Sequence, residues 1–126
     1  NKENVEVWKG VKAFIETDYN WHSFIIEGIA ILPAQVAALK KKHPHVKVVF
    51  LIDENRARVR KTIFTRGLWD EAHKYPDSVK EKEVKWVFAF NEFIKHEAKK
   101  YCLPVISVGR RKRTSAAVRK VLMART

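Results

Sequence analysis

The order of apolar patterns along the chain predicts an α/β fold built on a parallel sheet with helices over both faces. Two observations carry this. Short runs that are apolar on both sides, such as "FII" before Glu27 and "VVFLI" before Asp53, alternate with longer stretches whose apolar residues recur every three or four positions. Strands alternating with helices in this way imply right-handed crossovers and a sheet buried between helical layers. The chain has 126 residues, 46% hydrophobic and 32% charged, which suits one packed core, so a single domain over 1–126 is expected.

The elements follow in order. Val5, Val7, Trp8, Val11, Phe14 and Ile15 define an amphipathic helix over 3–17, and "DYNW" is a polar turn. Residues 22–27 read as a short strand apolar on both faces. Pro33 suits the first turn of a helix, "AQVAALKKK" continues it, and "HPH" breaks it. A second strand is expected over 46–52, with Asp53 placed to cap the helix "ENRARVRKTIF". The pattern dissolves over 65–82, and 83–101 is the longest helix. Its stripe Trp86, Phe90 and Phe93 differs from its stripe Val84, Val87, Ile94 and Ala98, so it should be covered on two sides. "VISV" is a third strand, Gly109 opens a basic segment over 109–126, and 115–123 can form a last helix. Three strands are few for a doubly wound sheet, so the fold is expected to be incomplete.

Charge is distributed unevenly. Residues 109–126 hold Arg110, Arg111, Lys112, Arg113, Arg119, Lys120 and Arg125 and no acid, more than half of the formal +12. The asymmetry points to an anionic partner, phosphate-bearing ligand or nucleic acid; a merely solvated basic end is the alternative. No apolar run nears the roughly 20 residues of a membrane span, and "NKENVEVWKG" lacks a signal-peptide pattern, so a soluble cytoplasmic protein that uses no membrane is expected. The single Cys102, beside an apolar strand, reads as core, and the histidines show no ligand spacing, so no metal is assigned to them.

Four motifs in order, "FIIEG" followed by "ILP", "VVFLID", "RARVRKTIFTRG" and "NEFIKHEAKKYCLPVISV", resemble the carboxyl-terminal part of P-loop kinases, small-molecule phosphotransferases laid out like adenylate and 2-phosphoglycerate kinases. The likeness spans about residues 21–109. It implies a three-layer α/β/α P-loop NTPase-like fold, transfer of the γ-phosphate of ATP with Mg²⁺, and a lid over 65–82. On the resemblance, Glu27 stands at the end of a Walker B type strand, binding a Mg²⁺-bound water or orienting the acceptor hydroxyl, and Gly28 admits the substrate closely. Arg60 and Arg66 become lid arginines, ahead of Arg56 and Arg58. Trp69, Asp70, His73 and Tyr75 could contact the acceptor, for which sugar, nucleoside, glycerate and other small molecules all remain open. Gly109 and Arg110 would lie against the adenine. The simpler reading of Glu27 is a turn cap paired with an arginine, and Asp53 reads as a cap rather than a metal ligand.

One departure is large. No "GxxxxGK[ST]" occurs, so the backbone cradle and lysine that hold the β- and γ-phosphates are missing, and an N-terminal portion is expected to be lacking. The competing expectation is a non-catalytic basic module that binds nucleic acid or a protein partner. Were the chain complete, its bare sheet edge would favour self-association.

Overall fold

The computed structural model describes residues 2–17, 23–66 and 72–124. By contacts the chain falls into two compact units, Asn1–Lys47 and Val48–Thr126.

The first unit holds helices α1 (Lys2–Glu16) and α2 (Pro33–Lys42). Pro33 begins α2, where its missing N–H costs nothing, and Gln35 Oε1 accepts the Leu32 N–H at 3.0 Å. Pro33, Val36 and Leu39 are its buried residues, spaced by three as one helix face requires. Helix α1 buries none of its residues. Its end is tied within the unit by His43 Nε2 against Glu16 Oε1 at 3.3 Å, and Phe14 meets Phe24 edge-on at 5.0 Å.

The strand expected over 22–27 is not formed: 23–28 has no ladder, and Ile25 is 87% exposed. An apolar run becomes a strand only when a neighbour accepts its N–H groups and donates to its carbonyls. No described segment does this for 23–28.

The second unit runs β1 (Phe50–Ile52), α3 (Arg56–Thr65), a 3₁₀ turn (Ala72–Lys74), α4 (Asp77–Lys100), β2 (Val105–Ser107) and α5 (Arg111–Met123). The described residues are thus α/β in class, mostly helical around a two-stranded parallel sheet. Phe50 pairs with Val105, Leu51 with Ile106 and Ile52 with Ser107. Phe50 N–H to Pro104 O and Val108 N–H to Ile52 O extend the ladder at each end, at 3.0 and 2.7 Å. Strand β1 is shorter than the expected 46–52, because only the part facing β2 has a partner. Phe50 and Ile52 are buried on one face, while Leu51 on the other is exposed.

Helix α3 lies on α4 through Val59, Ile63 and Val84, with Phe64, Val87 and Phe88 packed around them. Helix α4 begins at Asp77 rather than 83. Its first turn holds a single apolar residue, Val79, too little for a periodic signal, yet Asp77 favours the amino-terminal end of the helix dipole and pairs with Lys80 at 3.8 Å. Most of the expected lid's second half is therefore regular helix. Val84, Asn91, Ile94 and Ala98 are buried; of the second stripe, Trp86 and Phe93 stay exposed, and Trp86 stacks on Phe90 at 5.0 Å.

Helix α4 closes with two reverse bonds, Leu103 N–H to Ala98 O at 2.8 Å and Cys102 N–H to Lys99 O at 3.1 Å. This termination needs a left-handed residue, and Cys102 supplies it at φ 55°. Cys102 is consequently exposed, not core; the buried residue of the turn is Leu103. Helix α5 starts at Arg111, four residues earlier than expected, so "RKR" is its first turn and not a loop.

Candidate functional site

The two strands are parallel, so residues that follow them, Asp53 after β1 and Val108 and Gly109 after β2, emerge side by side at one edge. Arg58, in the first turn of α3, reaches back to bridge them. Its Nε donates to Asp53 Oδ2 at 2.8 Å, and its Nη2 donates to Asp53 Oδ1 at 2.7 Å and to the Val108 carbonyl at 2.8 Å. This is a planar fork on a planar carboxylate, the geometry that distinguishes arginine from lysine. Asp53 Oδ1 also accepts the Asn55 N–H at 3.0 Å. Asn55, not Asp53, caps α3, its Oδ1 accepting the Arg58 N–H at 2.9 Å. The correction has a steric reason: the cap must stand immediately before the first helical residue, Arg56, and Asp53 is two residues too early.

Two residues of α4 complete the edge. Asn91, the one buried polar side chain among the described residues, donates to the Asp53 carbonyl at 2.7 Å. Lys95 Nζ meets Glu54 Oε2 at 2.9 Å. The Arg58 hydrogen bonds hold the Asp53 carboxyl below its ordinary value against the opposing pull of partial burial. The Lys95 hydrogen bond does the same for Glu54, and the Lys95 ammonium is raised in return.

Of the residues singled out in the sequence, Gly109 and Arg110 join this edge. The Gly109 N–H donates to Thr114 Oγ1 at 2.9 Å, and the Arg110 carbonyl accepts the Thr114 N–H at 2.9 Å. The Arg110 side chain is exposed. Arg60 is occupied elsewhere: its Nη2 pairs with Glu81 Oε1 at 2.5 Å, and its guanidinium lies 4.3 Å from the centre of the Phe64 ring. Arg56 covers Phe88 in the same way at 4.5 Å. Arg66 ends α3, its N–H donating to Thr62 O at 2.8 Å and its carbonyl accepting the Ala72 N–H at 3.1 Å. His73 is exposed in the 3₁₀ turn, and Tyr75 follows it. Glu27 and Gly28 are exposed in the irregular segment of the first unit. Trp69 and Asp70 lie outside the described residues.

Sequence reasoning missed Asn91 and Lys95 and ranked Arg58 below Arg60. The usable signal was the "DENRAR" spacing, which sets an acid two residues before a cap and an arginine in the first turn after it.

The described residues contain no group of three metal-ligating side chains. Every carboxylate oxygen of Asp53 is taken by Arg58 or the Asn55 amide. An open groove of about 450 Å³ between Leu51 and the Val118, Leu122 and Met123 side of α5 is almost wholly apolar, unsuited to a triphosphate. Comparison with protein-family models, with curated proteins and with solved structures returned no match. No helix among the described residues is long and apolar enough to cross a membrane.

Proposed function

We propose that this chain forms part of a nucleotide-dependent small-molecule kinase of the three-layer, P-loop type. One observation supports the reading above the others. The β1–α3–α4–β2 unit brings the ends of two parallel strands together with Asp53, Arg58, Gly109 and Arg110. Open α/β sheets take their ligands at the carboxyl ends of the strands.

The described residues do not fit a bound Mg²⁺ or triphosphate, since no group of three metal ligands occurs among them and the sequence has no GxxxxGK[ST]. This chain's part would be to recognise the base and the acceptor. The exposed Arg110 guanidinium can lie flat on a purine, beside a glycine whose missing side chain leaves the approach open. Arg58 holds the two strand ends in register. The Arg60 contact with Glu81 would have to open for Arg60 to act as a lid arginine.

The test is calorimetric titration with ATP and Mg²⁺ of this chain and of the full native protein. The expected result is binding by the full protein and none by the 126-residue chain alone. In the full protein, Arg110→Ala should weaken nucleotide binding. Absence of binding by both forms would overturn the reading.

A further inference from the structure

Helix α5 has two faces of opposite chemistry. At about 3.6 residues per turn, Thr114, Ala117, Val118, Val121 and Leu122 fall on one side; they are half-buried, and α5 packs on β2. Lys112, Arg113, Arg119 and Lys120 fall on the other side and are exposed. Lys112 and Arg119 are two turns apart, as are Arg113 and Lys120, so two short lines of cations run about 10 Å along the axis. None of the four is paired with a carboxylate among the described residues, and no acid occurs from Gly109 onward. In the same unit Arg58, Arg60 and Lys95 each have a carboxylate within 2.9 Å. Solvated helices commonly mix both signs of charge on one face; this face carries a single sign.

We propose that the outward face of α5 is a nucleic-acid-binding stripe that holds backbone phosphates through Lys112, Arg113, Arg119 and Lys120. Phosphate contacts carry no base information, so the binding is tolerant of sequence. Bilayer surfaces are disfavoured as the ligand: α5 has no aromatic residue, and Met123 is the one large apolar residue exposed on the cationic side, where Arg119 also borders the groove toward Leu51. The inference is independent of the nucleotide reading.

The experiment is fluorescence anisotropy of labelled duplex DNA and single-stranded RNA with this chain between about 50 and 200 mM salt. Four phosphate contacts predict a log–log slope near −3.6 on duplex and about −3 on a single strand, a loss on the order of 100-fold over that range. Changing the four stripe residues together to Gln should cost at least about tenfold in affinity and flatten the slope. A control with the same loss of charge, Lys41, Lys42, Lys82 and Lys99 to Gln, should retain the slope. Circular dichroism checks that both fold; should the fourfold stripe variant fail, Arg119→Gln with Lys120→Gln tests the same face with half the effect. Equal losses in stripe and control variants, absence of binding at low salt, or stripe-dependent binding to phosphatidylserine vesicles without binding to nucleic acid would each overturn the proposal.

Discussion

The carboxyl edge of the sheet and helix α5 use cationic side chains in opposite ways. At the edge and on the α3–α4 seam Arg56, Arg58 and Arg60 each have a partner within the fold, while Arg110 stays exposed. Arg58 clamps Asp53 and the Val108 carbonyl, Arg60 pairs with Glu81 over Phe64, and Arg56 roofs Phe88. On α5 the cations have no such partners, and the helix buries none of its residues fully. The lesson is that an arginine's availability to a ligand follows from which acids and rings surround it. Motif position alone nominated Arg60, and the packing of α3 on α4 occupies it.

Four measurements sharpen or break this contrast. The largest effect is expected in the seam that positions the clamped arginines. Ile63→Ala removes a side chain 4% exposed from the Val59–Val84 cluster and should cost about 2–5 kcal/mol by chemical denaturation. A smaller loss, about 1–3 kcal/mol, is expected for Asn91→Leu, which fills similar space but leaves the Asp53 carbonyl without its donor. A loss near zero would mean that water or a neighbour replaces the amide and that the edge is looser than its distances imply.

Next comes the Asp53–Arg58 clamp, tested by pH. The Asp53 carboxyl titrates lower in the fold than its unfolded value of about 3.9. Its contribution is therefore complete above that value and is lost as pH falls through the lowered folded value. Melting temperatures of wild type should fall on the acid side more steeply than those of Asp53→Asn, which should melt lower at neutral pH. Arg58 is 40% exposed, so solvent screening keeps this effect below the Asn91 one. The smallest effect is a gain. Cys102→Gly relieves the left-handed conformation at the end of α4 and should stabilise by about 0.5–1 kcal/mol after the extra chain entropy of glycine. A loss instead would mean that the thiol makes a contact that outweighs its backbone strain.

Legibility from sequence differed by element. Helix α2 was readable to its first residue because Pro33 can stand only at a helix start, and the seam residues Val59, Ile63 and Val84 fell on the expected helices. The first turn of α4 was not readable, since "DSVKEK" contains one apolar residue and its helicity rests on capping charge and propensity. The run "FII" was misread because apolar composition reports a tendency to be buried, whereas a strand also requires a partner edge. At the sheet edge, Gly109 and Arg110 were nominated on the family resemblance by their position after the last strand, but Asn91 was not, because a lone asparagine in an amphipathic helix looks the same whether it faces water or a carbonyl.

The sequence by itself determined the alternation of helix and strand signals, the start of α2, the missing phosphate-loop motif and the acid-free basic run after Gly109. These are properties of neighbouring residues and of composition, which do not depend on what lies across space. Tertiary structure alone decided which apolar runs pair, that Asn55 caps α3, and that Arg58 and Arg60 are bound while the cations of α5 face outward. The strand pairing, the Arg58 bond to the Val108 carbonyl and the Arg60–Glu81 pair depend on partners distant along the chain, whereas the Asn55 cap and the Asp53–Arg58 fork join near neighbours whose geometry is fixed only once α3 starts at Arg56.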